Sequence, residues 1–96
     1  MRGYAWAKQI LNSEPIYLHR KQEALPHFPA IDCPQEYKEM LCALWGKEMI
    51  PGSLGEPIEA LGNRSVLQVL KQKDYLALQE YIAECVILDI SGPGAL

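Results

Sequence analysis

The chain of 96 residues lacks most of the features that mark secreted or membrane proteins. It has three cysteines, Cys33, Cys42 and Cys85, whereas a secreted disulfide scaffold of this size has an even and denser set. Its N-terminus has no apolar stretch like that of a signal peptide, and no run approaches the roughly 18 apolar residues of a membrane span. We therefore expect a cytoplasmic protein with no membrane segment.

Residue types that carry catalysis are also scarce. The spacing of His19, His27, Cys33 and Cys42 lacks the paired clamps that hold zinc. Cys33 lies just before a predicted helix N-terminus, where the helix dipole favours the thiolate, so it is the thiol we expect to react most readily. No base or further ligand accompanies it in the sequence. We predict that the protein is not an enzyme and uses neither cofactor nor metal.

Positive charge is limited as well. The chain carries nine Lys and Arg against twelve Asp and Glu, a net charge of −3. Residues 1–24 have four basic and two acidic side chains, and residues 25–96 have five basic and ten acidic ones. Binding to a phosphate backbone requires several clustered cations, so the charge argues against nucleic acid as a partner. An acidic surface suits a basic protein partner instead.

The chain does contain a long apolar block near its C-terminus. Residues 65–90 include no Gly or Pro and are rich in good helix formers. Four polar residues, 71–74, interrupt the apolar face. We therefore predict helices over about 64–72 and 74–86, with Asn63 or Ser65 capping the first and Asp74 near the second cap. Residues 86–90 fit a buried helix end or a short strand.

The N-terminal third alternates between apolar segments and breaks. Residues 3–12 have the spacing of a short amphipathic helix. Residues 16–21 fit either a short strand or a further helical turn. Three prolines within residues 25–34 indicate an extended connector.

A second helix start follows that connector. Asp32 is expected at or near its N-cap, and Glu36 in its first turn. The apolar spacing over 37–45 is helical, and Gly46 is the expected C-terminal residue. Residues 46–57 have the composition of a surface loop.

These elements predict one small globular domain over residues 1–90 with a flexible tail over 91–96. Its fold class is mainly α, a bundle of four to five short helices with the 35–45 helix packed against the 64–88 pair. A minor β element at 16–20 or 86–90 is left open.

By elimination, we predict a non-enzymatic module that binds a larger protein as an adaptor, assembly factor or inhibitor. Small acidic helical proteins are frequent among accessory and phage-encoded antagonists, which is an association only. The candidate binding residues are N-terminal aromatics and acidic side chains: Tyr4, Trp6, Tyr17, Glu56, Glu59, Glu80 and Glu84. Whether Tyr4 and Trp6 face the core or a partner stays open, as does formation of a homodimer.

Residues 56–71 favour a competing interpretation. The Gly62 turn, followed by Arg64 and an apolar stretch, is similar to the turn and recognition helix of a helix-turn-helix. With the turn at Gly62, polar residues fall at positions that should be buried, namely Asn63, Gln68 and Lys71, so the phase of the second helix is poor. In this alternative the protein is a DNA-binding transcriptional regulator, and Arg64 and Lys71 contact phosphates.

Overall fold

The structure, a computed structural model, describes residues 3–91, apart from the side chains at 51 and 91. Within that range the chain is mainly α-helical, which confirms the predicted fold class. The helices are α1 (Tyr4–Leu11), α2 (Pro15–Ala24), α3 (Gln35–Ser53), α4 (Val66–Lys71) and α5 (Tyr75–Ser91), with 3₁₀ turns at Leu25–His27 and Glu59–Leu61. One isolated antiparallel bridge joins Ile58 to Arg64.

Both segments in which the sequence allowed a β element are helical. Residues 16–20 belong to α2, which begins at Pro15, a residue whose fixed φ suits the first helical position. Residues 86–90 belong to α5, which ends at Ser91. The rest of the predicted tail, 92–96, lies outside the described residues.

The two C-terminal helices begin where the sequence predicts. The hydroxyl of Ser65 accepts from the backbone N–H of Gln68 at 3.2 Å, and the Gln68 side chain accepts from the Ser65 N–H at 2.8 Å. This capping box satisfies two N–H groups that the helix itself leaves unpaired. Asp74 accepts from the N–H of Ala77 at 3.4 Å and starts α5 in the same way.

The start of α3 differs from the prediction. Pro34 is the residue before the helix, and the exposed Asp32 lies two residues upstream without capping it. Glu36 does lie in the first turn, as predicted. Its carboxylate accepts from the Tyr4 hydroxyl and lies 3.4 Å from the Lys8 ammonium. Contacts with α1 therefore hold the N-terminus of α3 where a side-chain cap is missing.

Helix α3 also continues past Gly46, where it was expected to end. Gly46 has φ 73° and ψ 172°, which breaks the helix, and helical backbone resumes as far as Ser53. The surface loop predicted over 46–57 is therefore wrong for residues 47–53. Ile50 and Leu54 are almost completely buried, so this second segment of α3 belongs to the core.

The helices pair as α2 on α3 and α1 on α5. Helix α3 contacts α5, one of the two C-terminal helices it was predicted to meet, and two pairs of aromatic rings join them. The rings of Tyr37 and Tyr75 stack at 5.4 Å, and Trp45 meets Tyr81 edge-on at 6.4 Å. The extensive pairing of α2 with α3 was not predicted.

A single core joins all five helices. Its buried aliphatic and sulfur-containing members larger than alanine are Leu11, Met40, Leu41, Cys42, Ile50, Leu54, Leu61, Val66, Val69, Leu70, Leu78, Ile82 and Val86. Helix α5 supplies three of these residues, Leu78, Ile82 and Val86, and it contacts α1, α3 and α4.

Candidate functional site

Tyr4 lies at the start of α1, half-buried between α3 and α5. Its hydroxyl donates to Glu36, and its ring lies 5.9 Å from that of Tyr37. Burial and the neighbouring carboxylate raise the pKa of Tyr4 above its usual value. The hydrogen bond from Tyr4 in turn lowers the pKa of Glu36. Tyr4 thus contributes a fixed ring to the surface, with its hydroxyl already engaged.

Tyr17 is only 5% exposed and lies under α5. Its hydroxyl donates to the Asp89 carboxylate at 2.5 Å, and burial raises the pKa of Tyr17 to about 12. Arg20 approaches the same carboxylate at 3.9 Å and donates to the Leu44 carbonyl at 3.2 Å. The structure therefore places Tyr17 in a polar contact between α2 and α5, away from solvent.

Trp6 is half-buried and packs against the core from α1. It lies on the same short helix as Tyr4, but it does not line the surface feature described next. Of the three predicted aromatic residues, only Tyr4 borders an open groove.

That groove runs between the start of α1 and one face of α5. We call it the α1–α5 groove, and its volume is about 390 Å³. The residues that line it include Tyr4, Leu76, Glu80, Ala83, Glu84 and Ile87. Positions 76, 80, 83 and 87 are spaced by three or four residues, so they form one stripe of α5 about 16 Å long. Leu76 is 67% exposed, although it lies on the most apolar helix of the chain.

Among residues 3–91, the charge in the α1–α5 groove has a single sign. Glu80 and Glu84 are one helical turn apart and exposed, and neither forms an ion pair with any residue that the structure describes. No Lys or Arg of that described range lines the groove. An exposed leucine beside two unpaired carboxylates matches a partner segment that carries both apolar and basic side chains.

The other predicted carboxylates lie elsewhere. Glu56 precedes the 3₁₀ turn at Glu59–Leu61, and Glu59 begins that turn. Both side chains are exposed, and neither lines the α1–α5 groove. The structure thus brings Tyr4, Glu80 and Glu84 together and leaves Glu56 and Glu59 apart.

The residues proposed for DNA contact have separate environments. Arg64 donates to the Leu61 carbonyl at 2.7 Å, to Gln72 at 2.7 Å and to Asp74 at 3.0 Å. Its guanidinium therefore ties the 3₁₀ turn to the α4–α5 bend. Lys71 is exposed. Helix α4 has six residues, and a single 3₁₀ turn stands where a helix-turn-helix needs its first helix.

The helix dipole that was expected to favour the Cys33 thiolate does not lower the pKa of this thiol, and which of the three thiols reacts most readily stays a prediction. Burial raises the pKa of Cys33 to about 11, outweighing the opposite effect of the nearby Lys38. Burial also raises the pKa of Cys42 to about 11, and it raises the pKa of Cys85. All three are free thiols, and each carries little thiolate at neutral pH. Among residues 3–91, no cluster of three or more His, Cys, Asp and Glu could hold a metal ion.

Comparison with known proteins gives no match to any family, curated protein or solved structure. In the described part of the chain, no helix has both the length and the apolar character needed to cross a membrane. The chemistry of the surface is therefore the basis for assigning a function.

Three residues of the α1–α5 groove were missed by sequence reasoning, namely Leu76, Ala83 and Ile87. Together with Glu80 they repeat at helical spacing, which is the signal that could have found them. Apolar residues lie on several faces of α5, however. The spacing alone therefore does not predict which row of side chains is covered by α1 and which row is exposed to solvent.

Proposed function

We propose that this protein is a non-enzymatic, cytoplasmic interaction module, an adaptor, assembly factor or inhibitor, that binds a larger protein through the α1–α5 groove. The observation that carries the proposal is the exposure of Leu76 in a groove whose polar rim is Glu80 and Glu84. Burial of a large apolar side chain is favourable, because it removes apolar surface from water. A partner that covers Leu76 would gain that free energy on binding.

The three cysteines support the cytoplasmic and the non-enzymatic parts of the proposal. Three free cysteines suit a reducing compartment, because unpaired thiols are rare in oxidising ones. Their raised pKa values also favour packing over nucleophilic chemistry. The proposal therefore assigns these side chains no reaction.

The first test replaces Leu76 by serine. Because anchors in desolvated pockets dominate binding energy, we expect Leu76→Ser to weaken capture of the partner at least about tenfold. The measurement is a pull-down with the tagged chain from nuclease-treated native lysate, with each captured protein quantified by mass spectrometry. The unfolding midpoint should stay within about 2 °C, since Leu76 is exposed.

Leu88→Ser is the matched control. Leu88 is 63% exposed on the same helix but borders a different depression, near Trp45 and Met49. Capture should be unchanged by this variant. Equal losses for the two leucines, or loss of every partner on nuclease treatment, would contradict the proposal; the latter would favour the DNA-binding alternative. Recovery of an untagged copy of this chain would identify a homodimer.

A second test reverses the charge of the rim. We expect the double variant Glu80→Lys, Glu84→Lys to weaken the same capture and to reverse its dependence on salt, because the two new ammonium groups repel a basic partner and salt screens that repulsion. The control, Glu56→Lys with Glu59→Lys, makes the same change in net charge on exposed residues outside the groove. If both double variants act alike, net charge rather than the groove determines binding.

A further inference from the structure

A second depression lies on another part of the surface, between the 31–32 connector, Gly55 and α4. We call it the α4 groove; its volume is about 570 Å³, within the range of small-molecule sites. Ile31, Leu67 and Leu70 supply its apolar side chains, and Lys71 and Lys73 supply its cations. Asp32 is the carboxylate that lines it.

One wall of the α4 groove is fixed before any ligand arrives. The Leu67 N–H donates to the Leu54 carbonyl at 3.2 Å, which joins the start of α4 to the end of α3. The capping box occupies the polar atoms of Ser65 and Gln68. Leu67 nevertheless keeps 37% of its surface exposed. A preformed apolar wall reduces the ordering that a ligand would have to impose.

The two lysines of the α4 groove differ from the other lysines of the chain. Lys8 and Lys47 pair with glutamates, Lys21 donates to Asn12, and Lys38 lies over the ring of Phe28. Lys71 and Lys73 form no ion pair with any residue between 3 and 91. The two unpaired cations outnumber the one carboxylate of the groove, Asp32, so its net positive charge attracts a negatively charged group.

Lys73 also occupies a backbone position that favours glycine. Its φ is 55°, in the left-handed region. Its N–H donates to the Leu70 carbonyl and that of Asp74 to the Val69 carbonyl, both at 3.1 Å, which is the Schellman pattern that ends α4. Both lysines lie at the C-terminus of α4, where the helix dipole favours a cation. At 73 the lysine also carries a backbone cost that glycine would avoid, because its φ is positive.

We propose that the α4 groove binds a small amphipathic carboxylate, a linear alkyl chain ending in one carboxylate group. The alkyl chain packs on Ile31, Leu67 and Leu70, and the carboxylate lies between the two ammonium groups. The charged ends of the two lysines stay at the rim of the groove. This site is separate from the α1–α5 groove, so the proposal does not depend on the protein-binding function.

The test is a titration of the purified protein with decanoate below its micelle concentration, followed by amide chemical shifts. Decyltrimethylammonium and decan-1-ol are the matched probes of equal chain length. We expect shifts at residues 31, 67, 70, 71 and 73, and decanoate affinity at least about tenfold above that of the cationic probe. Equal affinity for both charged probes, or shifts centred on the α1–α5 groove, would overturn the proposal.

Lys73→Gly is the decisive variant because it should fold at least as well as the natural chain. Glycine adopts the left-handed conformation without a side-chain penalty, so we expect an equal or higher unfolding midpoint. Combined with Lys71→Gln, it should weaken decanoate binding about tenfold and leave decan-1-ol binding unchanged. Decanoate affinity that survives the double variant would refute the role of the lysines.

Discussion

Ile50→Ala is expected to lower the free energy of unfolding by about 2–5 kcal/mol, the range found for such truncations in buried cores. The side chain of Ile50 is 0% exposed, although it lies in a stretch whose composition predicts a surface loop. Removing it forfeits apolar burial and leaves a space that the second segment of α3 can close only in part. Domains of this size are stabilised by about 5–15 kcal/mol, so the loss is a large share of the total.

Met49→Ala is the control at the neighbouring position. Met49 is 51% exposed, and its truncation should change stability by less than about 0.5 kcal/mol. Urea unfolding followed by tryptophan fluorescence measures both, since Trp45 packs against Tyr81 in the folded chain. Similar values for the two variants would mean that residues 47–53 do not pack as the structure has them.

Gly46→Ala is expected to cost about 1–3 kcal/mol through backbone strain alone. With φ 73° and ψ 172°, Gly46 occupies a region that residues with a Cβ almost never adopt. The nearest atoms to an added Cβ are the stem carbons of Arg20 at 3.9 Å, an ordinary contact. The cost therefore comes from the dihedral angles and not from a clash.

Gly52→Ala provides a control with the opposite sign. Gly52 lies in the helical backbone after the break, and nothing lies within 4 Å of an added Cβ. Alanine there should raise stability by up to about 1 kcal/mol, because it restricts the unfolded chain and favours helix. Thermal and urea unfolding of both variants test this pair. A neutral Gly46→Ala would contradict the helix break at 46, and a destabilising Gly52→Ala would contradict the helical backbone at 52.

Local signals predicted the C-terminal half of the fold well. Ser65 and Asp74 cap their helices because short polar side chains bond to the free N–H groups of a first turn, which is a property of a few adjacent residues. Gly46 shows the limit of such signals. A glycine at this position correctly predicts a break in the helix. Whether the chain after the break forms a loop or a second helical segment depends on the burial of Ile50 and Leu54 in the core.

The α1–α5 groove was predictable only in part. Glu80 and Glu84 are visible as an exposed pair at helical spacing, and Tyr4 as an aromatic residue near the N-terminus. The exposure of Leu76 depends on how much of α5 is covered by the eight residues of α1. That coverage is a long-range property, because the two helices lie at opposite ends of the sequence.

The contact of Tyr17 and Arg20 with Asp89 has a consequence for how the protein is made. It joins residues that are about 70 positions apart in the sequence, and the helices α1 and α5, which pack together, are separated by a similar number of residues. A growing chain on the ribosome cannot form either contact until α5 has been synthesised. Helix α1 and the Tyr17 hydroxyl therefore gain these contacts only after α5 has been made, whereas the pairing of α2 with α3 joins neighbouring segments and can form earlier.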